Sequence, residues 1–389
     1  MSESGSSQSD RFPEDALSLS SQLRMRRRGE DDVKLPKRLP REEYSVLIRI
    51  LNDFLTLGES IEEIQPVAKG FSGATIARVT TNLADYALRG WPKESLSAER
   101  IRELHAYLDH LHKHELPVAV PVRSTSGETL VHEEGRFWQC EPWLPGAPVT
   151  RDDFSLSSFQ SIMKTLASIH LTSECFRSRT SGKRWFSTAR DVVPAVIERA
   201  QLIQSWQRTS TKDQISKCRM LPNEPREVCL EVLSRFGESS SEVLHELHSL
   251  SALPLAIFPC WRDLHGEHVL LENHQVTGLI DASATRTDHP ATDLSRLFGS
   301  LWGDDFHRWE TALAHYREQR QLSENDLSVL ISLDRSSVLL SGLTWVDRWC
   351  RGEVAESRET EVLERMHTIA ARMKGLNAPE NRERYSSWS

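Results

Sequence analysis

Three side chains stand at a spacing that phosphoryl chemistry can use. Asp263 precedes His268 by five residues, and His268 precedes Asp281 by thirteen. The first two lie in Trp261-Arg262-Asp263-Leu264-His265-Gly266-Glu267-His268-Val269-Leu270-Leu271, and the third ends Val276-Thr277-Gly278-Leu279-Ile280-Asp281. A loop aspartate, a metal-ligating group five residues on and a second aspartate ending the next hairpin strand are parts that phosphoryl transfer requires. The first carboxylate would orient an acceptor hydroxyl and take its proton. The other two groups would hold Mg²⁺ against nucleotide phosphates, whose charge must be neutralised.

These residues need elements to hold them. Val46, Leu47, Ile50, Leu51, Phe54 and Leu55 recur at helical spacing and predict an amphipathic lead-in helix over 42–57. Short strands are expected at 64–67, 76–80 and 86–88. A helix follows, with Ser97 as N-cap and Ile101, Leu104, Leu108 and Leu111 on one face. Strands are then expected at 118–122, 129–132 and 137–141. Beyond Pro145-Gly146 the pattern turns helical, at 159–170, 190–207 and 225–250. A strand-rich island over 256–280 carries the chemistry, and helices resume from 293 to about 373. The fold class that follows is α+β, with a small antiparallel sheet and one helix followed by a mainly helical part.

Asp263-Leu264-His265, His268-Val269-Leu270, Gly278-Leu279-Ile280-Asp281 and Asp293-Leu294 together resemble the catalytic block of the aminoglycoside phosphotransferase and choline kinase-like family. That family shows an HGDxxxxN loop, a hydrophobic strand, an IDxx turn and a downstream Asp-Leu. The resemblance implies a protein-kinase-like two-lobed fold: a nucleotide-binding N-lobe over 59–143 and a helical C-lobe over 144–375, with the catalytic loop at 261–281. A disordered tail (1–40), the lead-in helix (41–58) and a flexible tail (376–389) complete the expected organisation.

It also implies an ATP-dependent kinase that phosphorylates an alcohol group of a small molecule, with Asp263 catalytic and His268 and Asp281 binding metal. Gly70, Ser72 and Gly73 occupy the place of the phosphate-covering loop; an ordinary hairpin turn is the plain alternative. Arg89 takes the place of the lysine that pairs the α/β-phosphates. Glu103, or Glu99, is the carboxylate to hold it, unless each is a solvated surface residue. Gln139 to Gly146, including Glu141 and Trp143, resembles the hinge that receives adenine. The segment 166–170, ending in His170, resembles a helix near the start of the large lobe, which a core helix would equally explain. Asp293 is expected to brace the catalytic loop, although a helix N-terminal carboxylate would fit the dipole as well.

Three positions depart from the family pattern. Trp261 stands for His, so the loop must find other backbone support. Arg89 stands for Lys, a planar fork in place of a point charge. His268 stands for Asn; imidazole suits Mn²⁺ or Zn²⁺ better than Mg²⁺, so Mn²⁺ is the alternative metal. A kinase-like binder without turnover is the competing reading. A zinc site from His265, Glu267, His268, His274 and Cys260 is a third, but HGEH is not HExxH and Val269-Leu270-Leu271 suits a strand. Asp304, Asp305 and Glu310 are candidates to receive an amino group of a cationic acceptor, and Arg286 is a candidate to meet a phosphate or acceptor.

The bulk numbers agree with this class. The chain has 389 residues and a formal net charge of -8, which argues against a nucleic-acid partner held through phosphates. No apolar run long enough for a bilayer is read from the sequence, and no membrane partner is expected. Six scattered cysteines without CxxC suit reduced thiols in the cytoplasm.

Overall fold

The computed structural model describes residues 41–67, 73–93, 96–150, 155–178, 185–209 and 211–376. They form two compact units. One runs to Ser95 and resumes over Pro121–Trp143; the other comprises Leu96–Val120 and everything from Leu144.

The first unit is a helix on a sheet. Helix α1 (Arg41–Asn52) precedes β1 (Ile61–Pro66), β2 (Thr75–Thr81) and β3 (Asp85–Gly90). Helix α2 (Ala98–Lys113) intervenes in the chain but belongs to the second unit. Strands β4 (Val131–Glu133) and β5 (Arg136–Pro142) then complete an antiparallel sheet of order β1-β2-β3-β5-β4. Alternation along β2 buries Ala77 and Val79, which meet Leu88, Cys140 and the α1 residues Leu47, Ile50 and Leu51 in one core. Tyr44 on α1 donates its hydroxyl to the Ile64 carbonyl at 3.0 Å, so the helix is tied to the sheet edge by a polar contact too. The strand expected at 118–122 is absent: Val118 makes an isolated parallel bridge to Leu279. Pro117 and Pro121 flank it and remove two ladder donors.

In the second unit Ser97 caps α2 as expected, its hydroxyl accepting from Arg100 N. Strand β6 (Ala147–Pro148), α3 (Leu156–Glu174), β7 (Ala189–Val192), α4 (Pro194–Arg208), α5 (Thr211–Arg219) and α6 (Asn223–Leu250) follow. Next come β8 (Pro254–Cys260), β9 (Val269–Glu272), β10 (Gln275–Leu279) and β11 (Arg286–Asp288). The chain continues through α7 (Ala291–Leu301), α8 (Phe306–Arg317), α9 (Glu324–Cys350) and α10 (Glu359–Gly375). The island expected at 256–280 supplies β8, β9 and β10, and β6, β7 and β11 from outside it complete two small sheets, β10-β9-β6 and β11-β8-β7. Helix α9 packs on α6, α7 and α10. It is long and apolar enough to cross a membrane by length and composition, contrary to the sequence reading, but 78% of its apolar window is buried inside the fold.

Candidate active site

The segment that leaves β8 carries Asp263, and the β9–β10 hairpin that follows delivers Asp281. Asn273 and His274 turn that hairpin with φ of 50° and 64°, the paired left-handed residues of a type I′ turn. The segment that bears Asp263 bends at Arg262, with φ of 66°. Glycine adopts this conformation freely, and it stands here in the family's HGD pattern; arginine must be held there. The Arg262 guanidinium reaches Glu198 on α4 at 2.7 Å, and its Nε lies 3.0 Å from the fully buried Asp288 on β11. Asp288 also accepts from the His289 and Ala195 amides, while burial pushes its carboxyl up to about 6.

Asp293, 1% exposed on α7, braces this bend. Its Oδ2 accepts from Trp261 N at 2.8 Å and its Oδ1 from Arg262 N at 2.5 Å. His170 Nε2 lies 3.1 Å from Oδ2, and His170 Nδ1 lies 2.7 Å from the Tyr316 hydroxyl. An ionised carboxylate can only accept, so His170 donates from Nε2 and accepts from Tyr316 at Nδ1. Burial pushes the His170 pKa down, in keeping with a neutral ring. Ligand atoms of His170, Cys260 and Asp293 all lie within 4.8 Å of one another. The hydrogen bonds of His170 and Asp293 already use them as a loop brace, and the Cys260 thiol donates to the Asp288 carbonyl at 3.3 Å. The support that Trp261 in place of histidine calls for is therefore present. Its indole Nε1 also donates to Ile280 O at 3.1 Å, joining the loop to the residue before Asp281.

Asp263 is half-exposed, and its Oδ1 accepts from Arg296 Nε at 2.8 Å. His268 Nδ1 lies 2.9 Å from the Asp263 carbonyl, which can only accept. With Nδ1 donating there, Nε2 is the ring atom left to bind a ligand. That atom stands 3.9 Å from Asp281 Oδ2. A ring nitrogen and a carboxylate oxygen across that gap suit two ligands of one divalent cation. The residues present therefore fit the metal that the site chemistry calls for. Asp281 has φ of 52° and accepts from Ser283 N at 3.4 Å. Of the zinc reading, His265 lies beside His268 with ring centroids 3.7 Å apart, and its Nδ1 is 3.9 Å from Glu267 Oε2. His274 Nδ1, however, lies 3.1 Å from the Ser155 and Ser158 hydroxyls, and the Cys260 thiol is hydrogen-bonded to the Asp288 carbonyl. Gly266 allows the turn after Asp263 to lie close against its surroundings, since a Cβ there would stand 2.7 Å from Val149 O and 2.5 Å from Leu301 Cδ2.

The remaining expected residues divide between the units. Arg89 is buried on β3, and its guanidinium lies 5.9 Å from the Trp91 ring centroid. Glu141 accepts from Gln139 Nε2 at 2.8 Å, and Trp143 N donates to Asp85 O at 2.9 Å with Arg78 over its indole. The division between units falls after Trp143, inside the segment compared to a hinge. Gly70 and Ser72 lie outside the described residues; Gly73 has φ of 73°. In the second unit Glu103 is buried, 4% exposed, whereas Glu99 is exposed, so the surface reading fails for Glu103. Glu103 Oε1 accepts from the Ser178 hydroxyl, and its buried Oε2 has no hydrogen-bond partner among the described residues. Asp304 pairs with Arg372 at 2.8 Å, and Asp305 pairs with Arg308 and caps α8, so neither waits for an amine. Arg286 is engaged by Glu198. Sequence reasoning missed Arg262, Glu198, Asp288, Tyr316 and Arg296, whose partners lie far away in the chain and leave no local signal.

Residues 63–330 match the family model of the phosphotransferase enzyme family APH. Comparison with curated proteins found no match. Among solved structures, an amicoumacin kinase in complex with AMP-PNP and Ca²⁺ aligns with a TM-score of 0.60 at 15% identity, covering 91% of this chain and 96% of its own. An aminoglycoside phosphotransferase from Alicyclobacillus acidocaldarius aligns with a TM-score of 0.58 at 16% identity, covering 91% and 98%. A choline/ethanolamine kinase family protein from Mesorhizobium loti aligns with a TM-score of 0.53 at 15% identity, covering 84% and 92%. At these identities the likeness carries the kinase-like α+β fold.

Proposed function

The chain belongs to the phosphotransferase enzyme family APH, and from that premise we propose that it transfers the γ-phosphoryl group of ATP to a hydroxyl of a small molecule. The observation that carries this reading is the braced loop that presents Asp263 to solvent while His268 Nε2 stands 3.9 Å from Asp281. Asp263 accepts the acceptor's proton as its oxygen attacks the γ-phosphorus; the new O–P bond forms, the bond to the β-phosphate oxygen breaks, and ADP leaves with that electron pair. His268 and Asp281 would hold Mg²⁺ or Mn²⁺, which supplies positive charge for the phosphates. Arg89 is the phosphate-pairing cation and Glu103 a counter-carboxylate. Gly70, Ser72 and Gly73 are the phosphate-covering turn, with Glu141 and Trp143 on the adenine side. Asp293 and His170 hold the geometry without touching substrate.

The competing reading, a binder without turnover, draws on Trp261, Arg89 and His268. Against it stands the cost of the bend: a left-handed arginine and a buried aspartate are maintained to shape this loop. The test is ADP release by the full chain with Mg²⁺ or Mn²⁺ over a panel of hydroxyl acceptors. Turnover that falls by roughly a thousandfold or more in Asp263→Asn supports the reading, in line with loss of a general base. Nucleotide binding without ADP release from any acceptor favours the binder.

A further inference from the structure

Arg296 sits three residues after Asp293 on α7, a neighbour on the same helix face. The turn that braces the loop therefore also sets a guanidinium against Asp263. The single bond from Nε to Asp263 Oδ1 is the only hydrogen bond of that guanidinium among the described residues, and the side chain is 39% exposed. Arginine has five N–H donors in a planar fork, and engaging Nε leaves the edge with both terminal nitrogens open. Such an edge matches the two oxygens of a carboxylate or phosphate.

Two of the three carboxylates considered for an amine, Asp304 and Asp305, are occupied, while Glu310 is exposed and has no ion pair among the described residues. Glu198 holds both Arg262 and Arg286, Asp304 holds Arg372, and Asp305 holds Arg308. We propose that the acceptor is a hydroxyl compound bearing an anionic group, a carboxylate or phosphate, which the open edge of Arg296 binds while its hydroxyl meets Asp263. Arg296 is then both a positioning residue for the catalytic carboxylate and a determinant of acceptor class. The inference rests on the phosphotransferase reading above.

The test uses the full chain saturated with AMP-PNP and Mg²⁺, so that added anions do not report on the nucleotide site. Inorganic phosphate and three matched polyols are titrated by thermal shift: gluconate, neutral glucitol and cationic glucamine. Gluconate or phosphate is expected to raise Tm while glucamine does not. Arg296→Met should abolish that shift. Arg296→Lys, which keeps charge without the fork, should need about tenfold more anion or greater. The AMP-PNP response should stay at its wild-type midpoint in both variants, which also reports that they fold. Stabilisation by glucamine alone, no response to either anion, or an anion response unchanged in Arg296→Met would overturn the proposal. Failure of the wild type to bind AMP-PNP would overturn the phosphotransferase reading and this inference with it.

Discussion

Tyr316, His170 and Asp293 form a line of hydrogen bonds that ends on the backbone of the loop bearing Asp263. Every member is buried, so removing one leaves its partners unsatisfied in a medium of low polarity. Asp293→Ala is expected to cost roughly 3–5 kcal/mol, the range for stripping one partner from a buried charged network. Urea unfolding measures it, and a loss below about 1 kcal/mol would show that the loop holds its shape without the brace. The sign of the pH effect follows from His170. Its folded pKa lies below the ordinary 6.5 because burial disfavours the cation. The unfolded chain therefore binds the proton first as pH falls. This contribution is whole above about pH 6.5 and erodes below it, by at most about 1.4 kcal/mol per pH unit. His170→Gln removes that titration, so the stability gap between wild type and variant should narrow from pH 7 to pH 5.5. A constant gap would mean that His170 gains its proton equally in both states. At this scale spacing singled out Asp263, His268 and Asp281 as candidates, and the family resemblance added Asp293, whose bonds to the loop backbone are present. Arg296 and the Arg262–Glu198 pair stayed hidden, because contacts across 33 and 64 residues leave no local pattern.

Elements were legible where one face is buried and opaque where both are covered or the strand is very short. Alternation marked β2 and helical spacing marked α2, but β6, β7 and β11 have two to four residues each and no readable period. The expected helix over 190–207 begins at Pro194, since β7 pairs residues 189–192 with β8. Two substitutions probe how elements place the site. Ser97→Ala removes the N-cap of α2 and should lower stability by about 1 kcal/mol without reaching the chemistry. Gly266→Ala puts a methyl against Val149 O and Leu301, and the turn between Asp263 and His268 must shift. A cost of about 1–3 kcal/mol is expected, and the metal-dependent nucleotide affinity should weaken in the same variant. Unchanged affinity would place the turn outside the site.

At the scale of the molecule, the family match over residues 63–330 spans parts of both units, as a kinase-like chain requires. The order strand, strand, strand, helix, strand, strand was read with one excess strand at 118–122 and otherwise holds through β5. What the sequence hid was that α2 packs within the second unit although it interrupts the strands of the first. The measurement that most directly tests the account is a thermal-shift titration of the full chain with ATP, with and without Mg²⁺ or Mn²⁺, alongside Asp281→Ala. Saturation at a hundredfold over the dissociation constant stabilises by about 2.7 kcal/mol, a shift of roughly a few degrees for a chain of this size. The account predicts that shift only when nucleotide and metal are both present, and its loss in Asp281→Ala. A shift that ignores the metal and survives Asp281→Ala, or none with any combination, would contradict a phosphotransferase site built on His268 and Asp281.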